Sequence, residues 1–295
     1  MDDEFRTVAL VGKFRSADVA ESVMRMAAFL AARGLEVWLE ARTALVLGSS
    51  STDRVATFEE IGEGADLVIV MGGDGTMLTA ARALGIHQLP LVGVNQGRLG
   101  FLTDVSHDQM FERVGEIIDG RYLRERRSLL EIELWRGSQQ IRSSKALNDV
   151  VLSRGEIGRM IEFELHVDGE YIYTQRSDGM IIATPTGSTA YALSANGPIL
   201  HPRLAGIVLV PLCPHALTYR PLALAQDSVV ELKILGHRDA MVHCDGQTIF
   251  EATAGDSIRV LRSQQGVTLL HPEDYSYFNV LREKLHWSAL PPQLN

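Results

Sequence analysis

Cysteine is nearly missing from this chain: Cys213 and Cys244 are the only two, they stand far apart, and no C-x-x-C pattern occurs. A disulfide scaffold or zinc site is therefore not indicated, and a reducing compartment is expected. Long apolar runs are missing too. Stretches such as Gly206-Ile207-Val208-Leu209-Val210-Pro211 are too short to span a bilayer, and the opening Met1-Asp2-Asp3-Glu4-Phe5-Arg6 is acidic where a secretory signal would be basic. The expectation is a cytoplasmic protein without membrane association. Positive charge is also scarce. Lys and Arg number 28 against 37 Asp and Glu, a formal charge of −9 that argues against general nucleic-acid binding. The one basic cluster, Arg121, Arg124, Arg126 and Arg127, is interrupted by Glu125 and reads as a solvated linker. Two nucleotide signatures are absent as well: the P-loop pattern G-x-x-x-x-G-K followed by Ser or Thr, and the dinucleotide fingerprint G-x-G-x-x-G. The histidines are too scattered to read as metal ligands.

What is present fits two domains, since 295 residues exceed the usual single core and 46% hydrophobic content can fill two. The first hundred residues alternate strand and helix patterns, which predicts an α/β domain with a parallel, Rossmann-like sheet. Thr7 to Gly12, Leu35 to Leu39, the run Ala65-Asp66-Leu67-Val68-Ile69-Val70-Met71 and Pro90 to Asn95 read as strands. Ala17 to Ala32 has helical spacing closed by Arg33-Gly34, and Phe58 to Ile61 is a shorter helical segment. Ser50 to Asp53 reads as a connection. From Leu129 the rhythm changes to short alternating segments, with Asp168-Gly169 as a hairpin turn and Asp245-Gly246-Gln247 as another. This predicts a β-rich, sandwich-like second domain. The boundaries expected are 1–124, 125–272, and a C-terminal segment 273–295 that packs back on the first domain.

Gly72-Gly73-Asp74-Gly75-Thr76 follows the third strand and precedes a helical pattern from Met77 to Leu84. Open α/β sheets place their chemistry at such strand ends. Glycines let backbone N–H groups approach a phosphate, and a helix N-terminus adds favourable dipole. A carboxylate there repels a phosphate, so Asp74 suits a proton acceptor for a hydroxyl or a partner of a phosphate-bound metal. A plain Asp-Gly turn is the alternative.

Three further stretches are polar in the same way. Asn95-Gln96-Gly97-Arg98-Leu99-Gly100-Phe101-Leu102-Thr103-Asp104 follows its own strand, so it belongs at the same sheet edge as Asp74 or in a structured loop between domains. Asn148-Asp149 puts an amide beside a carboxylate, a pair that suits sugar hydroxyls or an Asx turn. Gln175 to Ser194 encloses a buried-looking strand and then Thr184-Pro185-Thr186-Gly187-Ser188-Thr189, whose hydroxyls and N–H groups suit a nucleotide's polar edges or cap a helix starting near Thr189.

In this order these stretches, with Pro198-Ile199-Leu200 and Asp274-Tyr275-Ser276-Tyr277-Phe278-Asn279, resemble the NAD kinases, the bacterial type most closely, over nearly the whole chain. The glycine-aspartate turn alone is shared with phosphofructokinases and with lipid kinases of the diacylglycerol and sphingosine type. The Asp178 to Ser194 and Asn95 to Asp104 stretches separate the NAD kinases from them. The resemblance implies transfer of the γ-phosphoryl of ATP to the 2′-hydroxyl of the adenosine ribose of NAD, with Mg²⁺ or another divalent metal, in a homo-oligomer (dimer or tetramer). It implies Asp74 as the base, with Gly75 beside it in the dinucleotide site. Asn148, Asp149, Arg159, Arg176, Asp178, Thr189, Ala190, Tyr191, Ala192, Leu193, Ser194 and Gln247 match further dinucleotide-binding positions. Many relatives carry Glu where Asp149 stands. A lipid kinase, or an NAD(H)-sensing module without turnover, stays open at this point.

Overall fold

A computed structural model describes residues 5–13, 17–47, 54–97, 99–155, 160–215, 218–236 and 239–287. The chain divides into two compact units, Met1–Arg126 with Val267–Asn295, and Arg127–Gly266.

The first unit alternates β1 (Thr7–Gly12), α1 (Ala17–Ala32), β2 (Glu36–Glu40), α2 (Ala41–Leu47), β3 (Arg54–Ala56), α3 (Phe58–Gly64), β4 (Leu67–Met71), α4 (Asp74–Leu84), β5 (Pro90–Val94) and α5 (Met110–Ile118). Its strands lie in the order β3-β2-β1-β4-β5, all parallel, so the order reverses between β1 and β4. Every residue of β4 is buried, as a parallel sheet covered on both faces requires. Val23, Met26 and Leu30 of α1 and Val114 and Ile117 of α5 pack on the face carrying Leu10, Ile69 and Val92. Local signals set the helix ends. Gly34 takes φ +82° after α1, and Thr57 and Glu60 form a reciprocal capping box at α3, an arrangement worth about 1 kcal/mol.

One helix start and two whole elements, α2 and β3, differ from the sequence pattern. Helix α4 begins at Asp74 rather than Met77, because a carboxylate in the first turn is favoured by the helix dipole and extends the helix backward. Helix α2 carries no Ser, Thr, Asn or Asp cap in sequence. Glu40 takes that role, its carboxylate accepting from the N–H groups of Arg42 (3.0 Å) and Thr43 (2.9 Å). The segment Ser50 to Asp53 lies outside the described residues.

The chain continues through β6 (Leu123–Arg136), β7 (Gln139–Ala146), β8 (Asp149–Arg154), β9 (Ile161–Val167), β10 (Glu170–Ser177), β11 (Gly179–Ala183), α6 (Tyr191–Ser194), β12 (Gly206–Leu212), β13 (Leu222–Ala225), β14 (Val230–Leu235), β15 (Ala240–Cys244), β16 (Thr248–Ala252) and β17 (Asp256–His271). In the second unit β10-β9-β14-β17 pair in that order with β6 and β7 beyond, and β13-β12-β11-β8-β15-β16 make the other sheet. Phe163, Leu232 and Ile258 of the first sheet share one core with Val150, Ile182 and Val242 of the second, giving the two-layer sandwich. Alternate burial along β9 shows why its sequence reads as a half-buried strand.

The basic cluster is not a solvated linker. Arg124, Arg126 and Arg127 lie on β6, and Arg127 is buried with its guanidinium donating to the Thr186 hydroxyl (3.2 Å). Alternation along a strand turns one charge of such a run inward, which charge counting does not register.

The last part of the first unit is the end of β17, where Thr268 and Leu269 pair with Pro90 and Leu91, followed by α7 (Tyr277–Leu285). Asp274 accepts from Arg113 at 2.8 Å, and the Lys284 ammonium stands 5.7 Å from the centre of the Phe101 ring. Among the described residues no helix is long and apolar enough to cross a membrane.

Candidate active site

In the first unit the end of β4 is tied to β5 by a hydrogen bond from Gly72 N–H to the Val94 carbonyl (2.9 Å). Asp74 follows in the first turn of α4, and its carboxylate is held from outside the helix. Oδ2 accepts from the Phe101 N–H at 3.0 Å, while Oδ1 accepts from the Leu102 N–H at 3.0 Å and the Thr103 hydroxyl at 3.3 Å. The stretch after β5 is therefore a clamp on Asp74. Asn95 closes it, its buried side-chain amide donating to the carbonyls of Thr103 (3.3 Å) and Val105 (3.1 Å). Gly100 permits the close approach: a Cβ there would stand 2.1 Å from Asp74 Oδ1 and 2.3 Å from the Thr103 hydroxyl.

Beside Asp74, at the ends of β1, β2 and β4, lies a cavity of about 390 Å³ lined by Gly12, Lys13, Glu40, Arg42, Phe58, Gly73, Gly75, Thr76 and Thr79 among others. It sits where the strand order reverses, the position at which open parallel sheets bind ligands. Buried Glu40 also accepts from the Thr43 hydroxyl, which in turn accepts from Gly12 N–H, so the floor of the cavity is hydrogen-bonded in place. Lys13 and Arg42 are exposed on it.

The second unit has its own cavity of about 480 Å³, lined by Asn148, by Asp149, Val151 and Ser153 of β8, by Ala190 and Tyr191, and by His243, Asp245 and Gly246. Asp149 is buried, and burial, with the neighbouring Asp245 charge second, pushes its carboxyl up to about 7. Asp245 sits in the β15–β16 turn at φ +51°, and its carboxylate accepts the N–H groups of Leu147 (3.0 Å), Asn148 (2.7 Å) and Asp149 (3.2 Å). These bonds bend the backbone at Asn148 and Asp149, so that adjacent side chains reach one cavity. His243 faces Ser153 at 3.0 Å, and burial lowers its pKa.

For Thr184 to Thr189 the sequence leaves a ligand contact and a helix cap open, and the structure shows the hydroxyls bonded within the protein: Thr184 donates to the Leu147 carbonyl (2.6 Å), Ser188 to Pro185 (2.6 Å) and Thr189 to Thr186 (3.1 Å). Gly187 lies so close that a Cβ would stand 2.0 Å from the Asn148 carbonyl oxygen. The segment braces the Asn148 turn from beneath instead of displaying hydroxyls, because a compact turn satisfies its own backbone before it can serve a ligand.

The structure thus puts Asp74 and Gly75 in one local site, and Asn148, Asp149, Ala190 and Tyr191 in another. Thr189, Ala192, Leu193 and Ser194 adjoin the second site in sequence without lining its cavity. Nor do Arg176, Asp178 and Gln247: Arg176 is exposed on β10, Asp178 pairs with Arg154 at 2.8 Å, and Gln247 is exposed after the β15–β16 turn. Arg159 lies outside the described residues. Sequence reading missed Ser153, His243 and Asp245 in the second cavity, and Lys13, Glu40 and Arg42 in the first. Asp245-Gly246 was legible only as a turn. Among the described residues no group of three or more His, Cys, Asp or Glu side chains converges to hold a metal ion.

Residues 8–122 match the ATP-NAD kinase N-terminal domain family, and residues 147–271 the ATP-NAD kinase C-terminal domain family. The NAD kinase of Aromatoleum aromaticum is 59% identical over 291 residues, covering 99% of this chain and 97% of that protein. That of Azoarcus sp. strain BH72 is likewise 59% identical over 291 residues, covering 99% of each. Among solved structures, yeast NADH kinase complexed with NADH superposes with a TM-score of 0.91 at 25% identity over 99% of this chain and 91% of that one. An Archaeoglobus fulgidus NAD kinase in complex with ATP does so with a TM-score of 0.74 at 25% identity, covering 94% and 98%. With both domain families matched in order and close relatives aligned end to end, this chain belongs to the ATP-NAD kinase family.

Proposed function

We infer that the protein transfers the γ-phosphoryl of ATP to the 2′-hydroxyl of the adenosine ribose of NAD, giving NADP and ADP, with Asp74 as the group that orients that hydroxyl and takes its proton. The observation that carries this is the Asp74 clamp, a carboxylate held by three donors at the N-terminus of α4 beside a glycine-lined cavity. Phosphoryl transfer asks mainly for positioning and charge neutralisation. A carboxylate is a weak base towards an alcohol, so the proton moves late, after most of the P–O bond change. The positive end of α4, with Lys13 and Arg42, suits the phosphates of the donor.

The family's divalent cation finds no cage of side chains among the described residues. Mg²⁺ enters as part of the substrate MgATP, its coordination supplied chiefly by phosphate oxygens and water. In the second unit, the Asn148 amide and the Asp149 carboxylate offer donors and acceptors to sugar hydroxyls or base edges, and Tyr191 offers a ring face. Arg159, Arg176, Asp178, Thr189, Ala190, Ala192, Leu193, Ser194 and Gln247 join the dinucleotide-binding set by their match to the family pattern. The same pattern supports a cytoplasmic homo-oligomer, a dimer or tetramer.

Incubation with NAD, ATP and Mg²⁺, followed by an NADP-specific dehydrogenase, is expected to report NADP formation that needs all three. No NADP with any of several phosphoryl donors would overturn the reading.

A further inference from the structure

Behind the Asp74 clamp, still within the first unit, lies a buried charge cluster that no step of phosphoryl transfer uses. His271 closes β17 and is 1% exposed. Its Nδ1 stands 3.0 Å from Asp104 Oδ2, and its Nε2 stands 3.3 Å from Glu125 Oε2. With Nδ1 protonated, the imidazole donates to Asp104, while Nε2 lies at ion-pair distance from Glu125 Oε2. The Tyr275 ring stacks on the imidazole at 3.9 Å between centres and 10° between planes, which fixes its orientation. The other oxygen of Asp104 is buried without a hydrogen-bond partner among the described residues, so the contact that holds this carboxylate is the one to His271.

Asp104 is the residue immediately after Phe101-Leu102-Thr103, the three donors to Asp74. The backbone beyond it is already pinned, with Val105 N–H on the Gly93 carbonyl (3.1 Å) and Asn95 N–H on the Val105 carbonyl (2.8 Å). At the other end of the clamp Gly97 N–H donates to the Asn95 side chain (3.2 Å) and Gly100 N–H to the Thr103 carbonyl (3.1 Å), so the Asp104 side chain is the part of the segment held by His271. We propose that His271, held between Asp104 and Glu125, is a positioning residue that locks the 101–104 segment and thereby aims the Asp74 carboxylate. Removing the imidazole leaves a buried carboxylate without its hydrogen-bond partner, a state costly enough to drive Asp104 towards water. Since Thr103 and Asp104 are consecutive, that movement takes the donors off Asp74.

The proposal rests on Asp74 being the reacting carboxylate, so its test includes the Asp74→Asn background. In His271→Leu, kcat is expected to fall about 10-fold or more while KM for NAD moves less than about 2-fold, because misplacing a reacting group by an ångström costs rate before it costs binding. Asp104→Asn/His271→Leu, which leaves no charge at position 104 to be expelled, should recover most of that loss; it also carries the test if the single variant does not fold. In Asp74→Asn, adding His271→Leu should lower the residual rate no further. Normal kcat in folded His271→Leu, or a further loss of the same size in the Asp74→Asn background, would overturn the positioning role. Full turnover in Asp74→Asn alone would instead remove the functional reading on which it rests.

Discussion

Asp74 and Asp149 are the same residue type in two regions that treat a carboxylate in opposite ways. Asp74 receives two backbone N–H groups and a hydroxyl, all aimed at it by one segment. Asp149 is buried beside a second carboxylate, and its pKa rises to about 7. Donors hold a charge in a fixed direction, whereas burial without donors works against the charge itself. The first arrangement suits a group that must be ionised and aimed. The second suits a group whose charge depends on what lies against it, and Asp245 shows that the donors in that region go elsewhere, to hold the Asn148 turn.

The largest effect should come from removing the aimed charge. Asp74→Asn keeps the side-chain shape and is expected to lower kcat by ~10²-fold or more, with dinucleotide affinity largely intact by calorimetry. Near-normal turnover would make Asp74 no different from any capping residue. Gly100→Ala attacks the aim and leaves the charge alone. The added methyl has no room between Asp74 Oδ1 and the Thr103 hydroxyl, so kcat should fall between ~10-fold and ~10²-fold. Unchanged kcat would show that the three donors hold Asp74 without directing it.

How far such contrasts can be read from sequence depends on whether a residue's partner is near in the chain. The strand and helix rhythm of the first unit, the change to β-rich segments, the glycine turn at Asp74 and the amide–carboxylate pair Asn148-Asp149 are local patterns, legible in the sequence. The Asp74 clamp was half-legible, since Asn95 to Asp104 was placed at the same sheet edge but its N–H groups carry no residue-type signal. Asp245 was not, because its three acceptor contacts reach 96 to 98 residues back in the chain. Arg127 failed for the same reason: its partner Thr186 lies 59 residues away. The partners of the Thr184 to Thr189 hydroxyls are not legible either, because residue type gives donor capacity and not which carbonyl takes the proton.

Asp245→Ala separates the two regions from the other side. Three N–H groups, two buried and one part-buried, lose their acceptor, each worth about 1–3 kcal/mol if buried and left unsatisfied. The Asn148 turn should relax, raising KM for NAD about 10-fold with kcat changed less than about 3-fold. A kcat loss equal to that of Asp74→Asn at constant KM would place Asp245 in the chemistry and erase the division drawn between the two carboxylate environments.

The smallest and most specific effect concerns the raised pKa itself. Asp149 has its folded pKa above the ordinary 3.8, at about 7. Between those values the folded protein keeps a proton that the unfolded chain gives up, so this group lowers stability as pH rises, and its full cost is reached above about 7. A shift of that size corresponds to at most ~4 kcal/mol, with backbone relaxation reducing it. In Asp149→Asn the penalty is absent. Urea midpoints measured from pH 5 to pH 8 should therefore move in favour of the variant as pH rises, levelling off above about 7.5. Asp245→Asn should narrow the wild-type trend only in part, because burial is the larger cause and the neighbouring charge the smaller. Parallel curves for wild type and Asp149→Asn would mean that the cavity already admits enough water to keep Asp149 ionised, and the environments of Asp74 and Asp149 would then differ in geometry alone.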